Sequence, residues 1–339
     1  MRSLLITLLV FSFSSPLFAS PTKHWGFESY ASFRGGKSEG VLLPNTGGLL
    51  PGLRATKATS KTAMPGLFYT MVKVGNTVYQ GSGDPAAIWS LRGNTLNKIK
   101  QFDTDLVVTK LIKGPGNSLI AATLPNGNIY KVTTAGKASL IVKLEADHVW
   151  DIVLKGTTLY AATGPKATLY RIDINQKKAT KIWSVKETHL LSVALDAKNN
   201  LLVGTSPAAR LSKVNPASKK GELLYDFPGN ELRNILVSGE TVYVSANNLT
   251  YRASTSYATR SYPSGQRRGR KTSSILTAKP KKSFGRRSVI RGSGTIFMLD
   301  KRGIAESMLS IASGYVTKIA VEGEFLYGSD GQSGRIYRM

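Results

Sequence analysis

The chain has 339 residues, of which 41% are hydrophobic, three are histidine and none is cysteine. Without cysteine it has no disulfide, thiol nucleophile, iron–sulfur cluster or cysteine-based zinc site. It contains 46 Lys and Arg residues against 20 Asp and Glu, and this formal net charge of +26 indicates an anionic partner without identifying it.

Residues 1–19 have the pattern of a secretory signal peptide. Arg2 provides the positive start, residues 4–13 form a short apolar run, and Ala19 marks a cleavage position. The run is too short to span a bilayer comfortably, and no second apolar stretch follows it. We therefore expect an exported protein, periplasmic or secreted, with no transmembrane segment in the mature chain.

A phrase of two apolar segments around a Gly/Pro turn recurs along the mature chain. It reads GNTVYQGSGDPAAIWSL at residues 75–91 and GTTLYAATGPKATLYRI at residues 156–172. Each half alternates with a period of two and is bounded by turn-forming residues, which is typical of a β-hairpin. The phrase recurs from Gly116, Asn199 and Gly323 and, in its first half only, from Gly239.

The interval between these phrases predicts the fold. Equivalent positions of the first hairpin strand follow one another at steps of 41, 40, 43 and 40 residues: Tyr79, Ile120, Tyr160, Val203 and Tyr243. A period of about 40 residues built from short strands is typical of β-propeller blades. Apolar strands before and after each hairpin bring each unit to four strands. We therefore predict an all-β, six-bladed propeller with four-stranded blades over residues 65–339.

Residues 20–64 are predicted to form a segment that precedes the propeller. The chain reaches Met339 directly after the third strand of the sixth unit, which leaves that unit one outer strand short. Residues 38–43, SEGVLL, are the predicted replacement. Pairing by this N-terminal strand would close the ring and leave no long exposed edge.

The hairpin phrases, above all GTTLYAATGPKATLYRID at residues 156–173, resemble secreted bacterial propellers of the broad NHL/YVTN type. They are similar in style to uncharacterised exported propeller proteins of δ-proteobacteria. The resemblance covers roughly residues 65–250 and 293–339. It implies the fold and leaves the function open, because propellers host hydrolases, lyases, dehydrogenases and interaction scaffolds.

One polar residue of each innermost strand is predicted to line the central channel. Alignment of the six units places these residues as follows: Thr70, Thr109, Asp151, Ser192, Asn234 and Lys318. Such side chains suit hydrogen bonds to channel water and to neighbouring backbone.

A second set of candidates lies around one mouth of the channel. The catalytic candidates are His148, His189, Asp147 and Asp151, and the candidate metal ligands are Asp147, Asn230 and Glu231. Carboxylate and amide oxygens can hold a hard cation such as calcium, and a nearby histidine can act as a base. The arrangement resembles metal-dependent lactonase propellers, although no unit clearly shows the acidic and Asn pattern of that family. The other interpretation is a polar mouth without catalysis.

Residues 251–291 interrupt the hairpin of the fifth unit with twelve Lys and Arg residues and no acidic residue. Because Ser, Thr, Gly and Pro fill most other positions, the segment cannot bury enough apolar surface to fold alone, and we predict a disordered basic arm. Its candidate anion-binding residues are Arg267, Arg268, Arg270, Lys271, Lys281, Lys282, Arg286 and Arg287. Export favours anionic envelope polymers or lipid head groups over nucleic acid. A solvated linker and a cleavable processing loop are the alternatives.

The sequence thus predicts a non-enzymatic binding or scaffold module with a protein partner, a basic arm and no cofactor. A lactonase-like metal-dependent hydrolase or lyase at the channel mouth is the alternative function.

Overall fold

The computed structural model describes residues 41–42, 50–52, 56–252 and 289–339. The chain divides into two compact units, Met1–Lys57 and Ala58–Met339. In the first unit the described strands are β1 (Val41–Leu42) and β2 (Leu50–Pro51), which pair antiparallel.

The second unit is a six-bladed β-propeller, as predicted, built from antiparallel sheets whose strands follow one another in chain order. Blades one to three contain these strands: β3 (Phe68–Val74), β4 (Thr77–Ser82), β5 (Ala87–Arg92) and β6 (Thr95–Gln101); β7 (Val107–Lys113), β8 (Leu119–Leu124), β9 (Asn128–Val132) and β10 (Ala138–Lys143); β11 (His148–Lys155), β12 (Thr158–Gly164), β13 (Thr168–Asp173) and β14 (Lys178–Ser184).

Blades four to six contain these strands: β15 (His189–Leu195), β16 (Leu201–Ser206), β17 (Ala209–Val214) and β18 (Gly221–Phe227); β19 (Glu231–Ser238), β20 (Thr241–Arg252), β21 (Val289–Leu299) and β22 (Ala305–Ile311); β23 (Val316–Glu322), β24 (Phe325–Asp330) and β25 (Ile336–Arg338). A single 3-10 turn, Pro115–Asn117, is the helical element of the described ranges. Within those ranges, no helix has the length and apolar character needed to cross a membrane.

The hydrophobic core lies between successive blades. One cluster joins Ile120 and Ile129 of blade two to Ile152 and Leu159 of blade three, and each of these side chains is at most 2% exposed. Equivalent clusters join the other neighbouring pairs from blade one through to blade six. Because most sheets pack against a neighbouring blade on each side, both of their faces are buried. This explains why their central strands are rich in apolar and small residues.

The boundary between blade six and blade one differs from the other five. At the equivalent third-strand position, five blades have a side chain that is 0% exposed: Ile88, Ile129, Leu169, Leu211 and Ile296. Ile336, the blade-six equivalent, is 62% exposed, and Met71 of blade one is 65% exposed. Over the described residues, no buried cluster joins these two blades.

Of the predicted N-terminal closing strand, residues 38–43, the structure describes Val41 and Leu42. Val41 and Leu42 pair with Pro51 and Leu50, and the sixth sheet consists of β23, β24 and β25 among the described strands. A partner about ten residues away costs less loop-closure entropy than one at the far end of the chain. The remaining positions of the predicted strand, 38–40 and 43, lie outside the described residues.

The hairpin of blade five is longer than its counterparts. Strands β20 and β21 stay paired with each other as far as Arg252 and Val289, beyond the point where β20 pairs with β19, and form a two-stranded ribbon. The predicted basic arm continues from this ribbon, and residues 253–288 lie outside the described residues.

Candidate functional site

The mouth face is the end of the propeller where the innermost strands β3, β7, β11, β15, β19 and β23 begin. In an antiparallel blade, the turn between the second and third strands lies at the same end as the start of the first strand. The blade-five ribbon therefore extends from the mouth face too.

Each innermost strand carries a β-bulge near its start. The bulged residues have no partner in the ladder and are the following: Tyr69, Thr109, Trp150, Leu191, Arg233 and Thr317. A bulge re-aims the side chains around it and raises the local twist. It thus determines which residues face the channel and which face the mouth.

The residue after each bulge belongs to one level of the channel, which we call the channel ring: Thr70, Lys110, Asp151, Ser192, Asn234 and Lys318. Five of these are the residues expected from the sequence. In blade two, Lys110 replaces Thr109, because Thr109 is itself the bulged residue and the sequence alignment was one residue out of register there.

Residues at or next to the channel ring tie each of blades one to five to the following blade. Four of the ring side chains bond the following innermost strand at 3.0–3.2 Å: Thr70 Oγ1 accepts from Leu111 N, Asp151 Oδ2 accepts from Val193 N, Ser192 Oγ donates to Leu232 O, and Asn234 Nδ2 donates to Thr317 O. Between blades two and three, the hydroxyl of Thr109 donates to the carbonyl of Val149. Most of these polar residues thus satisfy buried backbone groups.

An ion pair inside the channel links blade two to blade three. Lys110 Nζ lies 2.6 Å from Asp151 Oδ1, and the two side chains are only 24% and 13% exposed. Asp151 also accepts from the Val193 amide, so its two oxygens are both engaged. The sequence alignment did not identify Lys110, because alternation alone does not reveal a bulge.

Two further cations face the same region. Arg233 Nη1 lies 3.7 Å from Glu231 Oε2, a long contact for an ion pair. Lys318 is solvent-exposed, and its side-chain ammonium forms no ion pair or hydrogen bond with another described residue. Desolvation by the channel walls lowers the pKa of Lys318 to about 8; the positive charges of Lys110 and Arg233 add to this, and Asp151 opposes it. Because water reaches the side chain, solvation offsets part of the desolvation.

An aromatic cluster lies on the mouth face between blades three and four. The ring centroids of His148, Trp150 and His189 are 5.1–5.8 Å apart. Trp150 Nε1 donates a hydrogen bond to His189 Nδ1 at 3.1 Å. Gly164 lies against the same ring, since a Cβ built on it would be 2.0 Å from His189 Nδ1. The two predicted histidines thus do lie together, joined by a tryptophan that the sequence analysis missed.

The environment of the cluster keeps His189 neutral. Burial lowers the pKa of His189 below its usual 6.5, and the neighbouring His148 lowers it further. Because Nδ1 accepts from the indole, the proton of neutral His189 is on Nε2. His148 Nδ1 is buried and has no hydrogen-bond partner within the described structure.

Two of the three candidate metal ligands, Asn230 and Glu231, bond other groups of the protein. Asn230 bonds both backbone groups of Leu249 at 2.7–2.8 Å, and Glu231 Oε1 accepts from Asn247 Nδ2 at 2.9 Å. These contacts stabilise the base of the blade-five ribbon. Among the residues that the structure describes, no three or more of His, Asp and Glu gather closely enough to hold a metal ion.

The catalytic candidates do not form one constellation. His148 and His189 pack on Trp150, whereas Asp151 bonds Lys110 and the Val193 amide. Asp147 is exposed, and its backbone carbonyl accepts from Gly127 at 3.0 Å. With Nδ1 accepting from the indole of Trp150 and the proton on Nε2, neutral His189 has no free ring nitrogen with which to act as a general base.

Large apolar side chains are exposed on the mouth face of blades one and two. Leu67, Tyr69 and Leu106 are 57%, 49% and 56% exposed. Tyr69 lies over Gly83, where an added Cβ would be 2.7 Å from its ring and 2.9 Å from Val107. The side chains therefore cover adjacent parts of two blades. We call Leu67, Tyr69 and Leu106 the apolar patch.

The candidate anion-binding residues of the basic arm, from Arg267 to Arg287, lie outside the described residues. Arg291, at the start of the returning strand, is described and exposed.

No protein-family model matches this sequence, and no curated protein matches it either. Among solved structures, hydrazine synthase of Kuenenia stuttgartiensis is similar, with a TM-score of 0.57 and 13% identity over 82% of this chain and 77% of that one. A chain of a nidogen/laminin complex has a TM-score of 0.50 and 10% identity over 72% of this chain and 80% of its own length. The computationally designed protein Ika8 has a TM-score of 0.49 and 12% identity over 83% of this chain and 73% of its own.

At such identities the likeness shows the fold alone. A six-bladed propeller-like fold is therefore supported by comparison as well as by the strand order. The NHL/YVTN type and the δ-proteobacterial style stay predictions from the sequence.

Proposed function

We propose that the protein is a non-enzymatic binding module that recognises a protein partner with its mouth face. The observation that carries this proposal is the apolar patch, in which Leu67, Tyr69 and Leu106 are about half exposed on neighbouring blades. Exposed apolar side chains that cluster on a soluble protein are typical of interaction sites.

The aromatic cluster supports the same face. His148, Trp150 and His189 are each partly exposed, and Trp150 is held by its hydrogen bond to His189. Tryptophan is a frequent contributor to binding energy at protein interfaces, because a rigid ring buries a large area at small entropic cost. His148, Trp150 and His189 all belong to strands of a rigid sheet, so little conformational entropy is lost on binding.

The alternative hydrolase receives less support from the contacts. Two of the three carboxylates expected to serve it already bond protein groups: Asp151 bonds Lys110, and Glu231 bonds Asn247. A catalytic carboxylate has to be available to substrate, water or metal, so these contacts favour a structural role.

We propose further that the protein acts outside the cytoplasm and that the basic arm contacts anionic envelope polymers or lipid head groups. The ribbon of β20 and β21 supports this arrangement, because it extends the arm's attachment points, Arg252 and Val289, from the mouth face. The protein would then contact both its partner and an anionic surface with the same side, the mouth face.

The partner proposal is tested by site-specific photo-crosslinking in the producing cells. A crosslinker at Tyr69 is compared with one at Leu223, which is 56% exposed on the outer strand β18. We expect a discrete crosslinked protein from Tyr69 only, and its loss in Leu67→Asp and Leu106→Asp but not in Leu223→Asp. Equal products from both positions, or products that survive both substitutions, would contradict the proposal.

The arm is tested by replacing residues 253–288 with a two-residue Asn-Gly turn, which suits a hairpin between the paired Arg252 and Val289. A second variant keeps the arm but changes its Lys and Arg residues to Gln. We expect the natural protein to sediment with anionic phospholipid vesicles at low salt and to be released at high salt, since charge contacts are screened. Both variants should stay in solution; equal sedimentation of all three proteins would overturn the role of charge.

A further inference from the structure

The four charged side chains Lys110, Asp151, Arg233 and Lys318, here called the channel charge cluster, come from blades two, three, five and six. Three occupy the channel ring, and Arg233 is the bulged residue directly before ring member Asn234. Inter-blade bonds and an ion pair hold the surrounding strands, so the positions of these charges are set by the fold rather than by flexible loops.

The charges in this cluster do not balance. The carboxylate of Asp151 is shared between Lys110 at 2.6 Å and the Val193 amide at 3.1 Å. Arg233 has only Glu231, at 3.7 Å, and Glu231 already accepts from Asn247. Lys318 has no ionic partner among the described residues and reaches solvent. Two cations thus lack a close carboxylate, and a third is near them.

The hydrogen bonds between neighbouring blades show why the Lys318 side chain is left without a partner. From blade one to blade five, a ring residue or its bulged neighbour bonds the next blade. The next blade for Lys318 is blade one, and over the described residues no buried cluster joins those two blades. Its ammonium is therefore open to a ligand in solution.

We propose that the channel binds a small oxyanion, in the form of a sulfate, phosphate or carboxylate group, between Lys318 and Arg233, with Lys110 contributing its charge. Asn234, next to Arg233, donates to the carbonyl of Thr317, next to Lys318, so the two cations come from directly bonded strands of blades five and six. A guanidinium and an ammonium together offer several N–H donors to an oxyanion, and charge-assisted hydrogen bonds are the strong ones. This site is distinct from the apolar patch, and it stands whether or not a protein binds the mouth face.

Mutual repulsion within the cluster supports the assignment. The positive charges of Lys110 and Arg233 contribute to the low pKa of Lys318, while Asp151 acts in the opposite direction. A bound anion relieves that repulsion and raises the pKa of Lys318, so binding draws in a proton when the pH is above about 8.

The test is isothermal titration of sulfate into the full chain at constant ionic strength. We expect Lys318→Met to weaken sulfate binding at least tenfold and Arg233→Met to weaken it similarly. The matched control is Lys113→Met, which removes an exposed lysine from the end of β7 and should leave the affinity unchanged. Equal affinities in Lys318→Met and Lys113→Met, or no measurable sulfate binding in the natural protein, would overturn the proposal.

Two further variants separate charge recognition from structural damage. Asp151→Asn retains an acceptor for the Val193 amide but removes the competing negative charge, so sulfate should bind more tightly. Lys318→Arg should bind sulfate like the natural protein at pH 7. As the pH rises from 7 to 9, through the pKa of Lys318, the natural protein should lose affinity for sulfate and Lys318→Arg should not. Parallel loss in both proteins, or weaker binding by Asp151→Asn, would contradict the site.

Discussion

Trp150 Nε1 donates a hydrogen bond to His189 Nδ1 at 3.1 Å and thereby joins blade three to blade four on the mouth face. The bond satisfies an indole N–H and selects one tautomer of the imidazole. His148 packs against both rings, with centroid distances of 5.1 Å to Trp150 and 5.8 Å to His189. A pair of histidines that suggested acid–base chemistry in the sequence is thus part of a packed aromatic surface.

Replacing Trp150 by Phe should raise the pKa of His189. The indole donates to Nδ1 only when that nitrogen is unprotonated, so the bond stabilises neutral imidazole. The check is an NMR titration of the imidazole Cε1 protons in both proteins. An unchanged or lower pKa of His189 in Trp150→Phe would show that the hydrogen bond has no energetic weight.

Stability should fall on acidification because of His189. Its folded-state pKa lies below the usual 6.5, so below that pH the unfolded chain binds more protons than the folded one. The free energy of unfolding should therefore decrease as the pH falls from about 7 through the folded-state pKa, and the decrease should be smaller in His189→Gln. Urea denaturation at a series of pH values measures both slopes; identical slopes would contradict this role.

Changing Gly164 to Ala should destabilise the protein by about 1–3 kcal/mol, the usual cost of overpacking. The added methyl group would lie 2.0 Å from His189 Nδ1, so the ring must move and the bond to Trp150 must break. Gly66→Ala is the matched control, because nothing lies within 4 Å of its added Cβ. Urea unfolding compares the two, and an equal effect of both substitutions would refute the close contact.

Ser192→Ala should cost about 1–3 kcal/mol, because it leaves the buried carbonyl of Leu232 without its donor. Lys318→Met changes another member of the channel ring, but one without a partner in the next blade, and should alter stability by no more than about 0.5 kcal/mol. Chemical denaturation at pH 7 distinguishes the two. A larger loss in Lys318→Met would mean that blade six is tied to blade one through this side chain.

Ile129 and Ile336, which occupy equivalent repeat positions, should contribute very different amounts to the free energy of unfolding. Ile129→Ala removes a side chain that is 0% exposed and should cost about 2–5 kcal/mol. Ile336→Ala changes the same repeat position in blade six, where the side chain is 62% exposed, and should cost less than about 1 kcal/mol. Similar losses in the two variants would show that Ile336 is covered in the natural protein.

Much of the fold could be predicted from residue patterns alone. The turn at Gly164 and the alternation on either side of it identify a hairpin, and five spaced copies identify the propeller. The site was predicted only in part. His148 and His189 do lie together, but Trp150 and Lys110 were missed. The candidate metal ligands Asn230 and Glu231 bond Leu249 and Asn247 at the base of the blade-five ribbon.

The sequence by itself determined the number of blades, because strand alternation and turn residues recur about every 40 residues. It also determined the position of the basic arm, because residues 251–291 interrupt the fifth repeat. Only the tertiary structure decided which side chains face the channel, since a bulge shifts register by one residue without a sequence signal of its own. The tertiary structure also showed that Ile336 is 62% exposed and that the Lys318 ammonium has no ionic partner among the described residues. Both residues follow the repeat pattern of the other blades. Their environment differs because it depends on how blade six packs against blade one, and no local sequence pattern encodes that packing.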